Sequence, residues 1–153
     1  MRRLTLVWVG RHSDPAVEAL ATSYRERLRR FVTFDEIRVR PSPGRSDPQR
    51  ARAAEAAAIR THLAPGDVVI LLDERGRMPT TAELADRLEA DLRRARVVFV
   101  VGSDLGLDDA LAASAETLSL SRLTLPHGLA RVVTLEQLYR CCDLLAGGAY
   151  HRE

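Results

Sequence analysis

Residues 97–106 read VVFVVGSDLG, and this stretch indicates the fold class. Its first five residues are all apolar, which favours a strand that is buried on both faces of a sheet. Gly102 ends the strand, and the glycines of the loop 102–106 allow the backbone to turn sharply or to approach a ligand closely. A buried strand, a glycine-containing loop and a following helix form a unit typical of α/β domains.

Strand-like and helix-like segments alternate on both sides of this stretch. Strands are predicted at residues 4–9, 34–39, 67–73, 97–101 and 117–120, and helices at residues 15–30, 49–63, 81–94, 108–116 and 129–145. Three of the helices have recognisable end signals. Two starts are marked by Asp14-Pro15 and by Thr80 or Thr81, and the end of the last helix is marked by Gly147-Gly148. Residues 1–153 are therefore predicted to form a single α/β domain with a mostly parallel sheet.

Length and composition exclude several classes of protein. A chain of 153 residues, 46% of them hydrophobic, suffices for one core, and its longest apolar run falls far short of the roughly 18 residues of a membrane span. No secretory signal is recognisable, so a cytoplasmic protein without membrane contact is expected. Adjacent helical residues point about 100° apart, so Cys141 and Cys142 are predicted to be reduced, partly buried thiols, and no metal site is predicted.

The basic residues are unevenly distributed. All 23 are arginine; residues 1–60 contain thirteen of them and seven acidic residues, whereas residues 61–153 contain ten and fourteen. Five arginines surround a loop rich in proline, glycine and serine, namely Arg38, Arg40, Arg45, Arg50 and Arg52. The planar guanidinium suits phosphate because it can donate two parallel hydrogen bonds. The cluster is either an RNA contact or a solvated charged face, and charge alone leaves both open.

Three loops are predicted at the carboxyl ends of strands, where open α/β sheets bind ligands. They comprise residues 73–79, 102–106 and 121–127. The loop 102–106 lacks the third glycine of a dinucleotide fingerprint and the Lys-Ser/Thr of a phosphate cradle. Its acidic neighbours Asp104, Asp108 and Asp109 would repel a polyphosphate but are compatible with a positively charged ligand. Asp108 and Asp109 are also good helix caps, and the glycines alone could merely connect strand to helix.

The loop 121–127 and the tail Tyr150-His151-Arg152-Glu153 carry side chains suited to a nucleoside. Small hydroxyls, leucines and backbone amides in the loop fit an adenine, although a structural loop ended by Pro126 fits equally well. His127 is a candidate base or a cap of the following helix. The tail combines an aromatic ring, an imidazole and a guanidinium, which can stack on a base and hold a phosphate. A frayed terminus is the ordinary alternative.

The chain resembles the ribosomal large subunit methyltransferase H family, the smallest of the SPOUT methyltransferases. The resemblance is most specific in Leu123-Thr124-Leu125-Pro126-His127, Arg131-Val132-Val133, Glu136-Gln137-Leu138-Tyr139-Arg140 and Tyr150-His151-Arg152-Glu153. The length of the chain, the first strand ending at Gly10, and Leu72-Asp73 at the end of the third strand agree with the same family.

This resemblance implies a C-terminal trefoil knot that binds S-adenosylmethionine and forms a homodimer. It also implies methylation of N3 of a pseudouridine in 23S rRNA of the assembled ribosome. By position, the implied cofactor contacts are Leu72, Gly102, Ser103, Gly106, Ser121, Arg122, Leu123, Thr124, Leu125 and Pro126. Ser103 stands where the family usually has a second glycine, and a positive φ there would strain a serine.

Transfer to N3 requires that the N3 proton leaves, so a base or an anion-stabilising cation is expected beside the substrate. His151 is predicted to accept the proton, Arg152 or Arg131 to stabilise the uracil oxygens, and Tyr150 to contact the base. The tail could do this only if dimerisation or RNA binding orders it against the cofactor. A wide apolar surface on the last helix predicts a two-fold dimer; it comprises Leu129, Val132, Val133, Leu135, Leu138, Cys142 and Leu145.

Two other classes of protein stay open at this point. The chain could be a non-catalytic ribosome- or RNA-binding module of doubly wound α/β fold, in which the glycine loop is only structural. A nucleotide hydrolase is disfavoured by the missing Lys-Ser/Thr and the acidic helix start. Binding of S-adenosylhomocysteine would separate a methyltransferase from a binding module.

Overall fold

Strands and helices alternate along the chain in the predicted order. The computed structural model describes residues 2–12 and 14–152, and Glu153 of the predicted tail lies outside the described residues. The strands are β1 (Arg3–Val9), β2 (Thr33–Val39), β3 (Val68–Arg77), β4 (Val97–Val101) and β5 (Glu116–Leu118). The helices are α1 (Pro15–Leu28), α2 (Pro48–Arg60), α3 (Thr81–Arg94), α4 (Asp109–Ala113) and α5 (His127–Leu145).

The strands form one sheet in the order β2-β1-β4-β3-β5, and the strand pairs described are all parallel. β1 connects through α1 to β2 on one side, whereas β4 connects through α4 to β5 on the other side. The connections that leave β1 and β4 therefore run in opposite directions across the sheet. The loops that follow these two neighbouring strands meet at this topological switch point. Ligands of open α/β sheets bind at such switch points.

Helices cover both faces of the sheet because its strands are apolar on both sides. α1, α3 and α5 pack on one face, where Leu28, Leu88 and Leu135 are fully buried. α2 and α4 cover the other face through Ile59 and Leu111. β4 lies at the centre of the sheet, and all five of its residues are buried, as its apolar sequence predicts. In the part of the chain that the structure describes, no helix is both long and apolar enough to cross a membrane.

The prediction of a loop at residues 73–79 is wrong for most of its length, because β3 continues to Arg77. After Leu72 the pairing with β5 shifts register, so that Leu118 pairs with both Leu72 and Arg77. Gly76 permits this close approach, since a Cβ there would lie 2.6 Å from the backbone nitrogen of Leu118. The segment 73–77 is polar because it extends beyond the buried sheet, and polarity alone suggested a loop.

Local hydrogen bonds explain where the helices begin and end. The Asp14 carboxylate accepts a hydrogen bond of 2.9 Å from the backbone of α1, and Thr80 and Glu83 form a reciprocal capping box on α3. Asp108 caps α4, as predicted, but the helix is shorter than expected and ends at Ala113. Beyond α5, Gly147 takes a left-handed conformation with φ 75°, which favours glycine and stops the helix.

Cys141 and Cys142 are free and buried, as predicted. Burial raises the pKa of the Cys141 thiol to about 12 and that of the Cys142 thiol to about 11. Both thiols therefore stay protonated at neutral pH, and a protonated thiol is a poor nucleophile and a poor metal ligand.

Candidate active site

A cleft of about 850 Å³ opens at the carboxyl ends of β3, β4 and β5. Most of its lining comes from residues 72–75, 101–107, 118–121 and 123–127, so the structure brings together segments that are far apart in the sequence. The volume lies within the range of about 300–1,000 Å³ that is common for small-molecule sites. Among the predicted cofactor contacts, Arg122 is exposed and does not line the cleft.

The loop 102–106 is closed by its own backbone. The Gly106 amide donates to the Ser103 carbonyl at 2.9 Å, and Gly106 has φ 79°, a conformation that suits glycine. Ser103 has no positive φ, so the strain expected for a serine at this position is absent. The backbone of this chain does not require a glycine at residue 103.

The loop 102–106 also contacts α2 and residues 38–52, which contain the five clustered arginines and are called the arginine-rich segment. Ser103 Oγ donates a hydrogen bond of 2.7 Å to Glu55 Oε1, and the Arg45 guanidinium pairs with Asp104. Arg52 lines the cleft itself. Arginines from the first half of the chain are therefore direct neighbours of the glycine loop from the second half.

Carboxylates surround the mouth of the cleft. Asp73 accepts hydrogen bonds from the Arg75 guanidinium at 3.0 and 3.1 Å, and these bonds hold the pKa of Asp73 below its usual value. Arg75 also lies 3.8 Å from Asp109. The side chains of Asp104 and Asp109 are exposed. Among the described residues that line the cleft, four carboxylates outnumber two arginines, and this balance favours a cationic ligand over a polyphosphate.

Serine hydroxyls organise the segment 119–123 at the other wall of the cleft. Ser119 Oγ donates to the Ser121 carbonyl at 2.8 Å, and Ser121 Oγ accepts from the Leu123 amide at 2.9 Å. Leu123 is 76% exposed. An apolar side chain held at the cleft edge is suited to contact a ring such as adenine, or a second protein surface.

His127 lines the cleft at the first turn of α5. Pro126 occupies the N-cap position, so the prediction that His127 caps the helix is wrong. Burial lowers the pKa of His127, and the Arg45 guanidinium lowers it further. The imidazole is therefore neutral at pH 7 and able to accept a proton. A Cβ on Gly10 would lie 3.2 Å from this ring, which places His127 beside the switch point.

Arg131 lies in the interior rather than in the cleft, and its side chain is 1% exposed. Its guanidinium donates to Glu36 and Glu18 at 2.6 Å each and lies 3.8 Å from the centroid of the Trp8 ring. The structure therefore corrects the expectation that Arg131 meets the uracil oxygens, because its donors are engaged by these two carboxylates. Arg131 instead holds α1 and β2 against α5, and breaking such a buried pair costs about 3–5 kcal/mol.

Tyr150 of the C-terminal tail packs on α5, and the described residues of the tail do not line the cleft. The Tyr150 amide donates to Asp143 at 3.0 Å, its hydroxyl donates to Glu136 at 3.1 Å, and the Arg140 guanidinium lies 4.5 Å from its ring centroid. A frayed terminus is therefore wrong at Tyr150. His151 and Arg152 follow, and neither lines the cleft.

Comparison with known proteins decides the family. The sequence model described as "Predicted SPOUT methyltransferase" matches residues 2–151. The chain belongs to the SPOUT methyltransferase family. The resemblance predicted from the C-terminal segments is thereby confirmed. The predicted α/β fold class is confirmed as well: a probable methyltransferase from Bordetella pertussis Tohama I has a similar fold, with a TM-score of 0.59 and 17% identity, and the match covers 92% of this chain and 94% of that one.

Curated relatives of this SPOUT chain carry a more specific name, "Ribosomal RNA large subunit methyltransferase H". The protein from Maridesulfovibrio salexigens is 38% identical over 99% of both chains. The proteins from Methylobacterium radiotolerans and Thiobacillus denitrificans are each 41% identical, over 98% and 99% of this chain and 97% and 99% of the relatives. These similarities extend over nearly the full length of each chain, so they include every segment that lines the cleft.

Sequence reasoning missed Glu55, which contacts the glycine loop from α2. A signal for it was present, because Glu55 shares one helical face with Ala51, Ala56 and Ile59, and all four are buried. A single carboxylate on an otherwise apolar face of a helix needs a buried partner. The sequence does not show what that partner is.

Proposed function

We propose that this chain transfers a methyl group from S-adenosylmethionine to N3 of a pseudouridine in 23S rRNA, acting on the assembled ribosome in the cytoplasm. Methyl transfer to large-subunit rRNA follows from the family and from the names of the relatives. The methyl donor and the target atom are the finer part of the proposal. The observation that carries it is the cleft in which three separate segments meet at the carboxyl end of the sheet.

The residues of the cleft fit S-adenosylmethionine. Leu72 and Leu123 offer apolar surface to an adenine, and the loop 102–106 offers backbone donors and acceptors. The excess of carboxylates over arginines in the lining, to which Glu74 and Asp109 contribute, suits a ligand that carries a sulfonium and an ammonium group. When bound, the cofactor supplies an electrophilic methyl group, and the remaining task of the protein is to orient both reactants and exclude water. The family implies that the C-terminal segment forms a trefoil knot around this site.

In this proposal the tail acts across a dimer. His151 accepts the N3 proton, Tyr150 contacts the base and Arg152 stabilises the uracil oxygens. None of these residues lines the cleft of its own protomer, so the tail of one protomer completes the cleft of the other. In the described part of the chain His151 Nδ1 is buried without a hydrogen-bond partner, so no hydrogen bond at this nitrogen fixes the orientation of the ring.

Two measurements on the wild-type protein test the proposed function. Calorimetric titration with S-adenosylhomocysteine should show saturable binding, because the residues that line the cleft fit this ligand. Ribosomes that lack the modification should then accept a labelled methyl group from S-adenosylmethionine. Failure of S-adenosylhomocysteine to bind would favour the non-catalytic binding module, and binding without transfer would point to another substrate.

The dimer is expected to form through the surface around the start of α5. Four of the apolar residues that predicted it, Val132, Leu135, Leu138 and Cys142, are buried inside the protomer. Leu129 stays 47% exposed and lies near the equally apolar Leu123 in sequence. We expect sedimentation at micromolar concentration to give a species of twice the 17.0 kDa chain mass.

Leu129→Glu tests this interface directly. A charge at a buried contact should convert the dimer to a monomer, because the desolvated carboxylate would have no partner. Met78→Glu serves as a matched control, since Met78 is 52% exposed and lies after β3, outside the predicted surface. A wild-type protein that sediments as a monomer, or a Leu129→Glu dimer, would contradict the assignment.

The arginine-rich segment is expected to contact phosphate of the rRNA. Arg40 and Arg50 are exposed, whereas Arg45 and Arg52 also belong to the surroundings of the cleft. Replacing Arg40 and Arg50 with alanine should therefore make RNA binding less sensitive to salt. The slope of log K against log salt concentration should become shallower by about 0.7 for each lost contact with a single strand. Arg93→Ala on α3, on the opposite face of the sheet, is the control. An unchanged slope in the Arg40/Arg50 variant would mean that the segment is a solvated face.

A further inference from the structure

Glu55 is a buried carboxylate that the proposed chemistry does not use. It lies on α2 with its side chain 4% exposed, on the apolar face formed with Ala51, Ala56 and Ile59. Burying a carboxylate is unfavourable unless hydrogen bonds or cations compensate for the lost water. The partners of Glu55 are therefore informative about its role.

Each oxygen of Glu55 binds a different loop. Oε1 accepts a hydrogen bond of 2.7 Å from Ser103 Oγ, in the loop 102–106. Oε2 accepts a hydrogen bond of 2.8 Å from the Ser42 amide, in the arginine-rich segment, and lies 3.7 Å from Arg45 Nη1. Arg45 in turn pairs with Asp104. One carboxylate thus joins the segment that carries the arginines to the loop that lines the cleft.

Ser103 transmits this contact to the backbone of the loop. The residue is 6% exposed, and while its hydroxyl donates to Glu55 the same oxygen accepts from the Leu105 amide at 3.3 Å. The Ser103 carbonyl accepts from the Gly106 amide at 2.9 Å. The amides of residues 105 and 106 are therefore both held by Ser103, whose own side chain is oriented by Glu55.

We propose that Glu55 is a positioning residue: through Ser103 it fixes the loop 102–106 in its ligand-binding conformation and sets that loop against the arginine-rich segment. The proposal rests on the proposed function, because the ligand of the loop is taken to be S-adenosylmethionine. A carboxylate that served packing alone would not need to divide its two oxygens between two loops at the cleft.

The test is a double-mutant cycle on the full chain with Glu55→Gln and Ser103→Ala. A glutamine keeps the size of Glu55 but removes its charge. Its amide nitrogen can still donate to the Ser103 hydroxyl, so the charge-assisted bonds to Ser103 and Ser42 become weaker neutral ones. We expect Ser103→Ala to bind S-adenosylhomocysteine about fivefold more weakly than wild type and Glu55→Gln to lose part of that affinity. The double variant should be no weaker than Ser103→Ala, because without the Ser103 hydroxyl Glu55 has no contact with the loop. KM for S-adenosylmethionine should rise, with kcat at saturation within about twofold of wild type.

Asp91→Asn is the matched control. Asp91 is also a buried carboxylate, 2% exposed and held by Arg87 and Arg94 on α3, on the face of the sheet opposite α2. Its replacement should lower the melting temperature without changing the affinity for S-adenosylhomocysteine. If Glu55→Gln behaves in this way, Glu55 has a structural role only and the proposal is wrong. The proposal would also be wrong if the loss of affinity in the double variant equalled the product of the two single losses, since that would show that Glu55 and Ser103 act independently.

Hydrogen exchange of the ligand-free protein tests the role of Glu55 separately from the proposed methyltransferase function. Compared with wild type and Asp91→Asn, the amides of Leu105 and Gly106 should exchange about fivefold faster in Ser103→Ala, where the loop loses its anchor, and measurably faster in Glu55→Gln, where the anchor is weakened. This readout needs no cofactor, so it tests Glu55 even if the wild type fails to bind S-adenosylhomocysteine, a failure that would count against the proposed function. Unchanged exchange at both amides would overturn the role of Glu55. Should Glu55→Gln not fold, Ser103→Ala tests the same bond from the loop.

Discussion

Replacement of His151 by alanine should lower the turnover of ribosome methylation by about 10²–10⁴-fold, the usual contribution of a positioned general base. Binding of S-adenosylhomocysteine should stay within a few-fold of wild type, because His151 does not line the cleft of its own protomer. The loss should shrink as the pH rises, since a substrate that has already lost its N3 proton no longer needs an acceptor. Single-turnover rates measured across a pH series would show both effects.

His127→Ala is the comparison that makes the result decisive. His127 lines the cleft, and burial and the Arg45 guanidinium lower its pKa, so it is the second candidate acceptor. A pH-dependent loss of turnover in His127→Ala, with full activity in His151→Ala, would transfer the role to His127. A pH-independent loss of substrate affinity in His151→Ala would make His151 a contact residue. Deletion of residues 150–153 is a weaker test, because Tyr150 packs on Tyr139 with ring centroids 4.8 Å apart.

The order of strands and helices could be predicted because local signals agree with the global fold. The apolar run Val97–Val101 became the central strand β4, and the Asp14 and Thr80 caps mark the starts of α1 and α3. The end of β3 could not be predicted in the same way. The strand continues through polar residues because Gly76 lets β5 approach, and that is a tertiary contact with no local pattern.

The site could be predicted in its loops but not in its charged contacts. Parallel strands bring their carboxyl ends to one edge, so the loops at residues 102–106 and 121–127 were bound to meet. The sequence could not show which arginines face a ligand. Arg131 lies in one of the segments that resemble the methyltransferase family, yet its guanidinium is buried between Glu18 and Glu36. Ion pairs between residues more than ninety positions apart depend on the folded geometry, and periodicity carries no information about them.

Replacement of Gly102 by valine should weaken binding of S-adenosylhomocysteine by about 10²-fold or more while the protein stays folded. Gly102 has no positive φ, so the cause is packing rather than backbone strain. A Cβ at this position would lie 3.0 Å from Leu107 Cδ2 and 3.3 Å from the Gly106 carbonyl carbon. The branched side chain would therefore displace the closing residues of the loop, at a cost of about 1–3 kcal/mol for an overpacked site. Calorimetry and thermal unfolding of the same sample separate affinity from stability.

Gly44→Val is the control, since a Cβ on Gly44 meets no atom closer than 3.9 Å. Gly102→Ala should give a smaller loss than Gly102→Val, because alanine adds the Cβ without the branched methyl groups. Wild-type affinity in a folded Gly102→Val variant would remove the loop from the site. Gly102→Val also tests whether the tail of one protomer completes the cleft of the other. It has a defective cleft but an intact tail, whereas His151→Ala has an intact cleft but a defective tail. If tails act across the dimer, mixing the two inactive proteins should restore methylation in the mixed dimers. Mixtures that exchange subunits but stay inactive would show that each tail serves its own cleft.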